Sequence, residues 1–272
     1  MSRLLVFTDL DGTLLDHHTY DHSPAAPALE RLKAAKTPVV MVSSKTRPEI
    51  ETLRAALALD DPFIVENGGA IFISLKSGLQ VPPRTEIIGG YQVFVLGRRI
   101  KEIAPLFDRL ARKLPVRALS RMEAAEISAL TGLSLHQARA AASREFGEAF
   151  ILGDRKKEEQ LAAEVAALGL RLTRGGRFYH LLGENDKGRA TALLAGWYKQ
   201  SYPDLITIGL GDAPNDQPML AAVDRAFLVA GPDGAHREVD VPGLTRIPLP
   251  GPAGFNQAVQ GVMDELEIFP AP

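Results

Sequence analysis

The sequence contains no cysteine, which excludes disulfides, thiolate metal centres and a cysteine nucleophile. Neither sign of charge dominates. The 31 Lys and Arg against 33 Asp and Glu give a formal net charge of −2, so no electrostatic excess draws the chain to nucleic acid or to an anionic membrane surface. No apolar run approaches the ~20 residues of a membrane span. The N-terminus goes straight into a strand pattern, without the charged and apolar regions of a signal peptide. The expectation is a cytoplasmic protein with no nucleic-acid and no membrane partner. What is present is the ordinary mixture of a globular protein, 46% hydrophobic and 24% charged over 272 residues, enough for one large domain or two of ordinary size.

Strand-like and helix-like stretches alternate at the N-terminal end. RLLVFT (3–8), PVVMVS (38–43) and PFIVE (62–66) are continuous apolar runs. SPAAPALERLKAAK (23–36), with Ser23 as N-cap and Pro24 in the first turn, and RPEIETLRAALAL (47–59) read as helices. Apolar strands separated by helices predict a parallel sheet covered on both faces, joined by right-handed crossovers. The rhythm changes near residue 80. A Gly/Pro-rich linker or hairpin leads to a strand (91–96) and a helix (99–114) carrying Ile100, Ile103, Phe107, Leu110 and Leu114 on one face, with a kink predicted at Pro105. Helical sequence follows at 121–147. A strand (149–152), a helix (155–168) and a hairpin of strands 170–174 and 177–182 come next, with positive φ expected at Gly175 and Gly176. From about 186 the first rhythm returns: helix 187–201, strand 205–210, helix 214–222, strand 226–229 and a closing helix. The fold class is therefore α/β, a Rossmann-like parallel sheet core (1–82 and 185–272) interrupted by an inserted α+β unit (83–184).

Four places concentrate chemistry. In RLLVFTDLDGTLLD (3–16), Asp9 and Asp11 follow an apolar strand two residues apart, with Gly12 and Thr13 in the turn. Ligands of open parallel sheets bind beyond the carboxyl ends of the strands. Two carboxylates so close repel unless a cation or a shared proton relieves them. IGLGDAPNDQPML (208–220) repeats the arrangement with Asp212, Asn215 and Asp216, and carboxylates from two strand ends suit a hard divalent cation such as Mg²⁺. Ser43 closes a third strand, ahead of Ser44, Lys45 and a helix start that favours anions. Lys187, in ENDKGRAT, could neutralise phosphoryl charge. His17, His18, His22, His136 and His236 do not cluster at metal-ligand spacing.

These four pieces, in this order, resemble the haloacid dehalogenase superfamily of phosphatases: DLDGT as its first motif, Ser43 its second, Lys187 its third and GDAPND its fourth. The insertion resembles that superfamily's C2-type cap in its B form. SSKTRPEIE, ENGGAIF, TGLSLHQARAA, REFGEAFIL and GGRFYHLLG further resemble the group within it that acts on mannosyl-3-phosphoglycerate. One departure is Ala149, where that group usually carries a proline at the start of a cap strand.

The resemblance implies that Asp9 is the nucleophile, forming an aspartyl-phosphate, and that Asp11 is the general acid and then base. It implies that Ser43 and Lys187 hold the phosphoryl oxygens. Mg²⁺ would sit on Asp9, the backbone carbonyl of Asp11, and Asp212, with Asn215 and Asp216 orienting Lys187 or metal-bound water. Ser44 and Lys45, at the anion-favouring helix start, complete the substrate candidates on the core side. The substrate would be a phosphorylated sugar carrying a carboxylate, which arginine matches with parallel hydrogen bonds. Arg144, Arg177 and His180, and more weakly Thr131 and Gly132, are its candidate contacts in the cap; Glu66, Asn67 and Gly68 could meet sugar hydroxyls, or form a type I′ or II turn, or both. A phosphomutase, a phosphatase for another sugar phosphate such as the glucosyl analogue, and a non-catalytic sugar-phosphate-binding protein stay open as alternatives. So does the oligomeric state.

Overall fold

The structure is a computed structural model that describes residues 4–176 and 178–269. Its strands are β1 (Leu4–Thr8), β2 (Val39–Val42), β3 (Phe63–Val65), β4 (Ala70–Ser74), β5 (Glu86–Ile88), β6 (Tyr91–Val95), β7 (Val116–Ala118), β8 (Glu148–Leu152), β9 (Arg171–Gly175), β10 (Phe178–Leu182), β11 (Ile206–Gly211), β12 (Arg225–Ala230) and β13 (Thr245–Pro250). The α-helices are α1 (Ala26–Ala34), α2 (Arg47–Leu57), α3 (Ile100–Ala111), α4 (Ala124–Thr131), α5 (Leu135–Ala142), α6 (Glu158–Ala167), α7 (Lys187–Ser201), α8 (Gln217–Leu220) and α9 (Gly251–Glu265).

Nine strands form one sheet in the order β13-β12-β11-β1-β2-β3-β4-β6-β5. From β13 to β3 the pairings are parallel, and from β3 to β5 antiparallel. The continuous apolar runs are explained by burial on both faces. Alternate side chains of β1 divide accordingly: Leu4 and Val6 pack toward α1 and α9, while Leu5 and Phe7 pack toward α7 and α8. On the first side lie Leu32, Phe255, Val259 and Met263; on the second, Leu194, Trp197, Met219 and Leu220.

The second sheet has four antiparallel strands in the order β7-β8-β10-β9. Phe150, Tyr179 and Leu181 face α3 and α6 through Ile103, Phe107, Leu161 and Val165. Ala149, Ile151 and Phe178 face the α4–α5 pair through Ile127 and Ala138. This is an inserted α+β unit between two parts of an α/β core.

Several local expectations change. Ser23 does not cap a helix. It opens a 3₁₀ turn, Ser23–Ala25, that runs into α1, and its hydroxyl donates to Asp21. α3 passes through Pro105 as one helix, because only the bond to Lys101 is lost while Ile103, Phe107 and Leu110 stay buried. The helical stretch 121–147 is two helices broken at Gly132, whose φ is +81°. At the β9–β10 turn Gly176 has positive φ and Gly175 remains in the strand. Ala149 lies within β8, opposite His180, so β8 starts without the proline. β5 and β6, expected in the inserted unit, extend the large sheet as an antiparallel hairpin turning at Gly89 and Gly90, both with positive φ. β4 and β13 carry no clear sequence signal: β4 follows a turn directly, and β13 is mostly exposed.

Candidate active site

β1 and β11 are adjacent and parallel, so their carboxyl ends open side by side. Asp9 follows β1, and its N–H donates to the Leu210 carbonyl at 2.9 Å. Asp212 follows β11. Between them passes Gly12, with φ +85°; a Cβ there would stand 2.6 Å from Asp212 Oδ2. Glycine is therefore needed both for the left-handed turn and for the close approach. Thr13 is buried and its hydroxyl lies 3.4 Å from Asp212 Oδ1.

Lys187 begins α7 and is buried to 1% exposure. Its ammonium donates to Asp9 Oδ1 and to Asp216 Oδ1, both at 2.6 Å. Burial works against its charge, but Asp216 and Asp9 outweigh it and the ammonium titrates above its ordinary range. The other Asp216 oxygen accepts the N–H groups of Asp212 and Ala213, each at 3.1 Å. The close fit recurs in the glycines: a Cβ at Gly211 would strike the Asp216 carboxyl and one at Gly188 the Pro218 carbonyl.

Carboxylate oxygens of Asp9, Asp212 and Asp216 lie within 4.8 Å of one another. Burial, then repulsion from Asp216, raises Asp9 to about 7 and Asp212 to about 8. One ammonium does not balance three carboxylates, and an all-oxygen donor set fits a hard divalent cation. Both oxygens of Asp216 already have protein partners, which leaves Asp9 and Asp212 the freer ligands.

The Asp11 side chain turns the other way. Its Oδ2 pairs with Lys45 Nζ at 2.9 Å, and its buried Oδ1 has no partner among the described residues. Ser43 is buried at the end of β2, its oxygen accepting the Lys45 N–H at 3.2 Å. Asn215 lies beside the inserted unit: a Cβ at Gly175 would stand 3.8 Å from its amide nitrogen and 3.7 Å from His180 Nε2.

The substrate candidates fare unequally. Glu66 is fully buried and committed to protein: its carboxylate accepts the N–H groups of Glu145 (2.6 Å) and Phe146 (3.2 Å) and lies 3.2 Å from Arg144 Nε. Burial raises its pKa, and Arg144 and the two N–H groups oppose that rise. It therefore grips the inserted unit rather than offering itself to sugar hydroxyls. Glu66, Asn67 and Gly68 all have positive φ, and Gly68 N–H bonds to the Val65 carbonyl. The central pair of this turn is Glu66-Asn67, both left-handed as a type I′ turn requires. Gly68 is required because a Cβ would sit 2.1 Å from the Asp186 carbonyl.

Asn67, Arg144 and His180 are nine-tenths or more buried. Both Asn67 amide atoms, Arg144 Nη2 and His180 Nδ1 have no hydrogen-bond partner among the described residues. Burial, with the Arg144 and Lys187 charges, depresses His180 to about 3 and holds it neutral. The Ser44 carbonyl accepts from Arg144 Nη1 at 3.2 Å. Thr131 and Gly132 instead end α4: the Thr131 hydroxyl bonds to the Ile127 carbonyl and Gly132 supplies the left-handed cap. Arg177 lies outside the described residues. Two residues that sequence reasoning missed are Thr46, whose hydroxyl donates to the Ala140 carbonyl at 2.8 Å, and buried Asn185, whose amide donates to the Asn67 carbonyl at 3.3 Å. Neither carries a sequence signal beyond that of an N-cap or a turn.

Residues 6–81 match the family of haloacid dehalogenase-like hydrolases. A Persephonella marina protein named glucosyl-3-phosphoglycerate/mannosyl-3-phosphoglycerate phosphatase is 37% identical over 266 residues, 97% of this chain and 98% of its own. A Methanococcoides burtonii protein of the same name is 39% identical over 269 residues, covering 95% and 97%. Among solved structures, a haloacid dehalogenase-like hydrolase from Bacteroides thetaiotaomicron shares the fold with a TM-score of 0.65 at 17% identity, covering 95% of this chain and 98% of that one. With curated likeness running nearly end to end and acids gathered at the ends of β1 and β11, the chain belongs to the haloacid dehalogenase-like hydrolases and is a phosphoric monoester hydrolase.

Proposed function

We propose that the protein is a Mg²⁺-dependent phosphatase that converts mannosyl-3-phosphoglycerate, or its glucosyl counterpart, to the glycosylglycerate and phosphate. The observation that carries the phosphatase chemistry is Lys187, buried and fixed at 2.6 Å to both Asp9 and Asp216 beside Asp212. The substrate class is supported by the names of the relatives and by the unpartnered buried polar atoms of Asn67, Arg144 and His180. Those atoms suit a ligand with an anionic group and several hydroxyls.

In this reading Asp9 attacks phosphorus with the oxygen that Lys187 leaves free, and the bond from phosphorus to the leaving oxygen breaks. Asp11 gives its proton to the leaving alkoxide, then takes one from the water that attacks the aspartyl-phosphate. Phosphate departs and the Asp9 carboxylate is restored. Ser43 and Lys187 hold the phosphoryl oxygens, and Asp216 keeps Lys187 aimed at them. Asp9, Asp212 and the Asp11 carbonyl would hold Mg²⁺, which supplies charge neutralisation when bound. The inserted unit forms a cap between core segments 1–82 and 185–272, with β5 and β6 remaining on the core sheet. Arg144 and His180 present it to the substrate.

The test is a phosphate-release screen with Mg²⁺ over mannosyl- and glucosyl-3-phosphoglycerate, hexose phosphates and hexose bisphosphates. Preference for the two phosphoglycerates is expected. Preference for a simple hexose phosphate would overturn the substrate. Conversion without free phosphate would make the protein a mutase, and binding without turnover a sugar-phosphate-binding protein.

A further inference from the structure

Residues 16–22 join the first acidic turn to α1 and place no carboxylate in the Asp9–Asp212–Asp216 group. They are nevertheless held firmly. The Asp16 carboxylate accepts the N–H groups of His18 (3.0 Å) and Thr19 (2.8 Å) and the Thr19 hydroxyl (2.9 Å). Asp16 N–H bonds to the Asp21 carbonyl at 2.8 Å, and Tyr20 N–H to the Asp16 carbonyl at 3.1 Å. The result fixes Tyr20 at φ +58°, a left-handed conformation that bulky residues avoid. Such an outlier invites a question of function.

The Tyr20 ring lies 5.1 Å from Lys45 Nζ, and that ammonium is the partner of Asp11. Tyr20 remains 38% exposed and the Asp11 side chain 36%, while Asp9 and Lys187 are buried. Lys45 thus links the proposed acid Asp11 to the Tyr20 ring on the part-exposed side of the site. A leaving group that extends past Asp11 on this side would meet the Tyr20 ring.

We propose that Tyr20 is a specificity-determining residue whose ring forms a platform for the sugar ring of the leaving group. A pyranose offers an apolar C–H face, and an aromatic ring fixed on a braced loop offers a large contact area at little entropic cost. Lys45 steadies the ring through its ammonium and can turn from Asp11 to an oxygen of the same leaving group.

The inference rests on the phosphatase reading above. It is tested by the ratio of kcat/KM for mannosyl-3-phosphoglycerate to that for 3-phosphoglycerate, which has the same phosphoryl and carboxyl groups and no sugar. The variants are Tyr20→Phe, which keeps the ring, and Tyr20→Asn, which removes it while favouring the left-handed backbone. Tyr20→Asn should lower the ratio about tenfold, the loss falling on KM, with 3-phosphoglycerate turnover changed less than twofold. Tyr20→Phe should keep the wild-type ratio. Equal losses on both substrates, or an unchanged ratio in Tyr20→Asn, would overturn the platform. If the wild type prefers another sugar phosphate, the substrate reading fails separately; the same ratio is then taken for that sugar phosphate against glycerol 3-phosphate, with the same outcomes deciding. A wild type active only on substrates without a sugar would overturn both.

Discussion

At the residue scale the site separates two aspartates that the sequence sets side by side. Asp9 is buried and held by Lys187, whereas Asp11 reaches outward to Lys45. Asp9→Asn should fold normally and abolish phosphate release; normal turnover would end the nucleophile assignment. Asp11→Asn should bind Mg²⁺ yet lose roughly 10²–10⁴ in kcat, the usual span of acid–base assistance, measured by steady-state kinetics. His180 gives a pH prediction. Its folded pKa is depressed to about 3 from 6.5, so between those values the unfolded chain binds a proton that the native protein does not. The contribution is present above pH ~6.5 and lost as pH falls toward 3, at up to about 1.4 kcal/mol per pH unit. His180→Gln should flatten the acid side of a urea-unfolding profile over that window. A profile unchanged from wild type would show that the native imidazole protonates freely.

At the element scale the two units are clamped where the β2–α2 and β3–β4 connections meet the segment after α5. Glu66 takes two backbone N–H groups and Arg144, while Arg47 pairs with Glu145 at 2.8 Å. Removing one member of a buried ion pair strands the other, at a cost of about 3 kcal/mol. Glu66→Ala should show that loss in urea denaturation, together with a raised KM as Arg144 loses its orientation. Unchanged stability and KM would reduce Glu66 to a spectator. The Gly/Pro-rich stretch that begins near residue 80 lies in the approach to β5 and in the β5–β6 hairpin of the large sheet. The chain leaves that sheet through Leu96 and Gly97, both bonded to the Gly69 carbonyl, and returns near Asn185. Any cap motion should therefore turn about 96–98 and 183–186.

At the scale of the whole molecule, chain ends far apart in sequence assemble one crowded negative site. Asp9 and Asp212 are raised to about 7 and about 8, so the native state binds protons more tightly than the unfolded chain. Without a cation that stabilisation is present below pH ~4 and lost as pH rises to about 8. Mg²⁺ at pH 8 should raise Tm, a chelator should reverse the rise, and Asp212→Asn should abolish the response; a Tm indifferent to Mg²⁺ would refute the ion site. The layered α/β core, its strand ends and the candidate chemistry of Asp9, Asp11, Asp212 and Lys187 were legible in the chain, because apolar periodicity and the residues that follow each run are local properties. The sequence also determined that a second α+β unit interrupts the core. Only the tertiary structure decided that β5 and β6 join the large sheet, that Glu66 faces the backbone of the inserted unit, and that Asn67, Arg144 and His180 keep buried polar atoms with no partner among the described residues. Pairing and burial depend on contacts between segments about a hundred residues apart, such as Arg144 with Ser44, and no local pattern encodes which distant group a side chain will meet.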